Sequence, residues 1–219
     1  MTRRLRLAVL ASGRGSNLQA ILDSIDSGRL DAEVALVLSN TPRCLALDRA
    51  SQAGITTCCI TNKASGGRAN QLARIHDALV KADVDLVVNA GFNLILSSVT
   101  VEHFQNRMLN IHPSLLPAFA GGMAPKPQRD ALEHGVKVSG CTVHLVTDEL
   151  DAGPILAQAT VPVLDDDTPD SLAGRILVEE HKTLPNVIQW FSEGRVRVEG
   201  RRTFIVPEPV RQQIAEAAG

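Results

Sequence analysis

Leu7-Ala8-Val9-Leu10, entered from Arg6, is an apolar run suited to a buried strand. Leu18, Ile21, Leu22 and Ile25 follow at the i, i+3, i+4, i+7 spacing of a helix that lays one stripe on a sheet. The alternation continues. Val34–Leu38 reads as a second strand, Cys44–Ala53 as a helix stopped by Gly54, and Ile55–Ile60 as a third strand rich in β-branched residues. Leu72, Ile75 and Leu79 mark another helix, Leu86–Val88 a fourth strand, Ser98–Phe104 a short helix and Met108–Ile111 a fifth strand. Strands alternating with helices require crossover connections. The pattern therefore predicts an α/β chain with a Rossmann-like, open, mostly parallel twisted sheet and helices on both faces.

The second half changes style. A Gly/Pro-rich loop over Pro113–Pro127 leads to a short helix, Gln128–His134, and then Val138–Val146 and Ile155–Val163 follow as β-rich runs with no helix between them. That predicts antiparallel strands added to the edge of the sheet in the C-terminal half. After Asp165-Asp166-Asp167 a long helix is expected, with Thr168 as N-cap and Pro169 in the first turn, where its missing N–H costs nothing. From Pro207 onward a weakly held tail is expected.

Composition bounds the partners. The 219 residues, 44% hydrophobic and 21% charged, fit one globular domain with its own core. A net charge of −2 without a Lys/Arg block excludes nucleic acid and anionic membrane as main partners and leaves small molecules; a monomer or a homodimer is expected, without composition deciding between them. The apolar run after the basic start ends at Ala11, too short for a signal peptide, and no stretch approaches a membrane span; a cytoplasmic protein is expected. Cys44, Cys58, Cys59 and Cys141 show no C-x-x-C spacing and are expected as buried free thiols.

Ser12-Gly13-Arg14-Gly15-Ser16-Asn17 joins the first strand to the first helix, so free backbone N–H groups and the positive helix end converge there on an anion. Ser16 and Asn17 would add side-chain donors. A dinucleotide fingerprint fails, because Leu18 stands where a third glycine belongs and Ser39-Asn40 where an acidic residue belongs. A nucleotide-triphosphate loop fails for want of Gly-Lys-Ser/Thr. What remains is a single phosphomonoester site or a plain tight turn capped by Ser16.

Asn110 and His112, two apart at a strand's carboxyl end, share a face beside the crevice where open α/β sheets bind ligands, and Pro113 stops the strand. His144 ends the next strand, and Asp151 lies in the turn Asp148–Pro154. Each alone also fits a strand-end amide, a core histidine or a turn aspartate. A metal held by His112, His144 and Asp151 competes, yet Cys141 faces away from His144 and no H-x-x-x-H spacing occurs; no metal is expected.

Through these residues the chain resembles the folate-dependent glycinamide ribonucleotide formyltransferases over nearly its full length. The resemblance rests on Ala11–Ala20, Ala90-Gly91-Phe92, Leu109–Pro117 and Leu150–Pro154. It implies the formyltransferase fold as a single domain over 1–219. Residues 1–105 would be its phosphate- and ribonucleotide-binding half, 106–206 its catalytic and folate-binding half, and 207–219 its tail. It further implies 10-formyltetrahydrofolate as co-substrate, the amine of glycinamide ribonucleotide as acceptor, and a place in purine synthesis. Asn110, His112 and Asp151 would be catalytic, with His144 supporting. Gly15, Ser16 and Asn17 would hold the substrate phosphate, and Pro113 and Glu180 its ribose and glycinamide portion. Folate would lie on Arg68, on Phe92, Asn93, Leu94, Ile95 and Leu96, and on Val146, Thr147 and Asp148. Glu180 has separate support from its place on the stripe Ile176, Glu180, Leu184, Ile188, although a helix-edge Glu reaching solvent fits as well. In the implied mechanism the Asn110 amide and a protonated His112 stabilise an oxyanion, and Asp151 keeps His112 charged.

Two departures from the family pattern stand out. Asn93-Leu94 replaces a bulky or basic pair, and the run Gly121–Pro127 is longer than usual and lacks a histidine often found there. A formyltetrahydrofolate hydrolase, another folate-dependent formyltransferase and a catalytically silent phosphosugar-binding module are the alternatives.

Overall fold

The computed structural model describes residues 3–207. In chain order the elements are β1 (Leu5–Leu10), α1 (Ser16–Asp26), β2 (Ala32–Ser39), α2 (Leu45–Gln52), β3 (Thr57–Cys59), α3 (Asn62–Ser65), α4 (Arg68–Lys81), β4 (Leu86–Asn89), α5 (Ser98–His103), β5 (Met108–His112), α6 (Lys126–Glu133), β6 (Val138–Leu145), β7 (Ile155–Pro162), α7 (Pro169–Ser192), β8 (Val196–Glu199) and β9 (Arg202–Ile205). The main sheet has the order β3-β2-β1-β4-β5-β6-β7. β1 to β5 are parallel, whereas β6 and β7 join antiparallel, as the missing crossover helix between them predicts.

Both sheet faces are covered. On one, Leu7, Val9 and Val88 pack with Leu18 and Ile21 of α1 and Leu184, Val187 and Ile188 of α7. On the other, Ala8, Leu10 and Val87 pack with Ile75 and Leu79 of α4 and with Phe104. A smaller cluster seats Cys141 and Val161 against Leu172 and Ile176 of α7 and Ala131 of α6. Helix α7 starts where the sequence places it. The Thr168 side chain accepts from Ser171 N at 3.1 Å, the Ser171 hydroxyl accepts from Thr168 N at 2.9 Å, and Pro169 follows in the first turn.

Several expectations need correction. β3 is three residues rather than six: as an edge strand it finds partners only in β2, with Thr57 and Cys59 left exposed, and Ile60 turns back into the core. Cys59 is therefore not a buried thiol and Cys58 only half-buried, whereas Cys44 and Cys141 are buried; all four are free. Burial pushes the Cys141 thiol up to about 11. In α4 the core position falls to Gln71 rather than Leu72, because the Gln71 amide donates to the buried Ile60 carbonyl at 2.8 Å. α6 begins two residues early, at Lys126. Helix α3 and the β8–β9 hairpin were not anticipated; the hairpin packs on the sheet's α7 side through Val196 and Val198. Of the expected tail, 207–219, all but Pro207 lies outside the described residues. No helix among the described residues is long and apolar enough to cross a membrane.

Gly140, in β6, lies so close to β7 that a Cβ there would meet the Ala159 carbonyl oxygen at 1.9 Å. Gly140→Ala is expected to lower stability by about 3 kcal/mol, read as a fall in Tm of roughly 6–12 °C for a chain of this size.

Candidate active site

The sheet order reverses direction between β1 and β4, and the crevice opens at the carboxyl ends of these strands. Leu10, Asn89 and Asn110 are ladder partners in the parallel strands β1, β4 and β5 and so share the face covered by α4; His144, opposite Asn110 in β6, shares it too. A cavity of about 500 Å³ straddles the strand ends. Asn17 of α1 and Glu180 of α7 line it on one side of the sheet, and Phe92, Leu94, Leu96 and Val146 form an apolar wall on the other. Asn110, His112, His144 and Asp151 lie where the two sides meet.

Asp151 organises that boundary. It occupies the left-handed region at φ 52°, a strained position that aspartate tolerates better than most residues. Its Oδ2 accepts from Gly121 N at 2.9 Å and lies 3.3 Å from His112 Nδ1. Its Oδ1 lies 3.5 Å from Asn110 Nδ2 and 3.6 Å from His144 Nε2. Burial alone would push the Asp151 pKa up. The polar neighbours at its two oxygens, the His144 ring, the Gly121 N–H and the His112 ring, outweigh it, so the carboxyl stays below its ordinary range and is ionised.

The two histidines are set differently. His144 Nδ1–H donates to the Leu145 carbonyl at 2.9 Å, which leaves Nε2 to accept from Asn110 Nδ2 at 3.0 Å. That bond fixes the Asn110 amide and takes one of its two hydrogens. His112 is 3% exposed, with Nε2–H on the Phe119 carbonyl at 3.0 Å and Nδ1 toward Asp151. Burial lowers its pKa, opposed by Asp151 and by the Phe119 carbonyl. Both nitrogens face acceptors, Phe119 O and the Asp151 carboxylate, which favour the imidazolium that burial disfavours. Asn110 Nδ2 touches both His144 Nε2 and Asp151 Oδ1, and no metal-ligand group of three forms among the described residues.

The first helix departs from expectation in one respect. Gly15 is its N-cap at φ 70°, and a Cβ there would come within 2.7 Å of Ala46 Cα, so both the turn and the approach to α2 require glycine. No side chain caps the helix, which rules out a turn capped by Ser16 and leaves its first N–H groups open. Asn17, however, has one side-chain hydrogen already committed: its Nδ2 donates to Glu180 Oε2 at 2.7 Å. Glu180 is 7% exposed, not a helix-edge residue in solvent, and burial raises its pKa, only partly offset by Asn17. Gly15 and Ser16 lie outside the cavity lining, adjacent to Asn17 in the chain. Arg68 is outside it too, bracing the Phe92–Leu96 segment through Ile95 O at 3.4 Å. Pro113, Asn93, Ile95, Thr147 and Asp148 line the cavity.

Sequence reasoning missed the Phe119 carbonyl and the Gly121 N–H, backbone groups that carry no residue-type signal, and Asn89, one residue beyond the predicted fourth strand. The pattern of the formyl transferase family matches residues 5–188. The chain belongs to the formyl transferase family. Among relatives of this formyl transferase, the phosphoribosylglycinamide formyltransferase of Escherichia coli (strain K12) is 44% identical over 195 residues, covering 89% of this chain and 90% of the relative. Glycinamide ribonucleotide transformylase 1 from Symbiobacterium toebii superposes with a TM-score of 0.90 at 46% identity, covering 94% of this chain and 96% of that one. A formyltetrahydrofolate deformylase from Pseudomonas syringae superposes at 0.87 with 28% identity, but this formyl transferase covers only 67% of that chain.

Because the raised pKa makes ionisation of Glu180 costly, the stability it contributes is full at acid pH and is lost as pH rises from the ordinary carboxylate range through the raised value. Glu180→Gln should therefore melt above the wild type at pH 8 and converge with it near pH 4. A melting difference that ignores pH would contradict the assignment.

Proposed function

We propose that the chain transfers the formyl group of 10-formyltetrahydrofolate to the amine of glycinamide ribonucleotide, giving formylglycinamide ribonucleotide and tetrahydrofolate in purine synthesis. The observation that carries this reading is the two-sided cavity. A polar side beneath an uncapped helix N-terminus suits a phosphorylated sugar, and an apolar side suits a flat bicyclic ring, with the Asn110–His112–Asp151 cluster between them. The names of the Escherichia coli and Symbiobacterium relatives agree with it. Residues 1–219 act as one unit, in keeping with α7 of the second half packing on α1 of the first. Its free thiols suit a reducing cytoplasm.

The roles follow from the contacts. The open N–H groups at Gly15, Ser16 and Asn17 take the phosphate. Glu180, one oxygen bound to Asn17, offers the other to the ribose hydroxyls, and Pro113 borders the glycinamide portion. Arg68 and Phe92 to Leu96 on one wall, with Val146, Thr147 and Asp148 on the other, hold the folate ring; the formyl donor supplies an activated carbonyl. Asn110, with one hydrogen committed to His144 at 3.0 Å, releases its longer 3.5 Å contact to Asp151 and turns that hydrogen toward the carbonyl oxygen as it gains negative charge. That charge adds to Asp151 in favouring the His112 imidazolium, which acts as a cationic donor and keeps its proton throughout, so the one proton moved is the amine's. Asp151, ionised in the free protein, takes the proton of the attacking amine and passes it, directly or through water, toward the departing nitrogen.

The deformylase from Pseudomonas syringae favours a second reading, hydrolysis with water as acceptor through the same three residues. Following 10-formyltetrahydrofolate consumption by absorbance, with and without glycinamide ribonucleotide, separates the two. Turnover that requires the ribonucleotide is expected, and turnover that ignores it establishes the hydrolase. In the same assay His112→Ala should lose about 10²–10³-fold in kcat while still binding the ribonucleotide; half the wild-type rate would refute its role.

A further inference from the structure

Asn89 is a polar side chain of the cavity to which the formyl-transfer chemistry gives no task. It ends β4, after the apolar Leu86-Val87-Val88, and its ladder neighbours are Leu10 and Asn110. It is 9% exposed, and its Oδ1 has no hydrogen-bond partner among the described residues. Buried side-chain amides in native proteins are almost always bonded. Asn110 is not available to it, being committed to His144 with Asp151 beyond. The apolar side of the cavity that Asn89 shares, made by Phe92, Leu94, Leu96 and Val146, offers no side-chain partner. An unpartnered amide at the floor of an apolar slot matches a ligand that is flat and greasy on its faces and polar along its edge.

Resting on the folate reading, we propose that Asn89 determines specificity for the formyl donor by hydrogen-bonding the polar edge of its pteridine bicycle. A side-chain amide presents an N–H donor and a carbonyl acceptor side by side, and a pteridine edge carries ring N–H and amino donors beside ring-nitrogen and carbonyl acceptors. The slot's walls sandwich the rings, and Asn89 fixes their rotation within that plane. With the rings so oriented, the formyl-bearing nitrogen faces Asn110, the ladder partner of Asn89 one strand away. Asn89 is thus a positioning and recognition residue, and it takes no part in proton transfer.

The test is calorimetric titration of 10-formyl-5,8-dideazafolate and, separately, of glycinamide ribonucleotide into the wild-type, Asn89→Leu and Asn89→Ala chains, with thermal melts of each. Loss of one hydrogen bond should raise Kd for the folate analogue about 3- to 10-fold in both variants. The ribonucleotide Kd should stay unchanged, and Asn89→Leu should melt no lower than the wild type, since it removes a buried unbonded acceptor. If leucine is not accommodated and that variant melts early, Asn89→Ala carries the comparison. Analogue binding as tight as wild type in the folded variants overturns the proposal, and so does equal weakening of both ligands, which marks general distortion. A wild-type chain that binds the ribonucleotide but not the analogue overturns the folate reading itself.

Discussion

A carboxylate withdrawn from water must be surrounded by donors or surrender its charge, and the middle of this molecule is built around meeting that demand at Asp151. Gly121 N–H, both histidines and the Asn110 amide converge on its two oxygens from three separate stretches of chain. The antiparallel register of β5 and β6 sets Asn110 opposite His144, and the left-handed turn at Asp151 brings its carboxylate back over both. The 118–122 stretch is held there by its backbone, through Phe119 O on His112 and Gly121 N on Asp151. If the carboxylate lost those partners, the turn, the loop and both imidazoles would lose their reason for these positions.

The same logic operates across the sheet. Glu180 is the second buried carboxylate of the cavity, satisfied by one amide only, and its pKa moves up where that of Asp151 moves down. Asp151 is therefore firmly ionised and able to steer charge. Glu180 is held in a state whose ionisation improves once hydroxyl donors arrive. The two carboxylates shift in opposite directions on the two sides of one strand edge, which under the proposed function gives one the handling of protons and the other the recognition of the ribonucleotide.

The sheet and its helices were legible because burial imposes periodicity: Leu18, Ile21 and Ile25, or Ile176, Glu180, Leu184 and Ile188, repeat as packing requires. Thr168 and Pro169 announced the start of α7 through local chemistry. β3 was overdrawn because β-branched residues such as Ile55 and Thr56 speak for extended backbone, not for the number of neighbours available at an edge. Asn110, His112 and Asp151 were visible as residue types at strand ends and turns. The bond from Asn17 to Glu180 was not, since it spans 163 positions and depends on how α1 and α7 cross. The pull of burial against the His112 imidazolium was hidden for a related reason, because desolvation depends on everything packed around the ring and not on its neighbours in sequence.

Asp151 holds the loop through its accepting oxygens, whereas its negative charge acts on the reaction. That central claim is tested most directly by rapid-quench single-turnover measurement on Asp151→Asn, an isosteric change that can still accept from Gly121. The account predicts that formyl transfer slows by at least about 100-fold while both substrates bind as in the wild type. A single-turnover rate close to that of the wild type would contradict it.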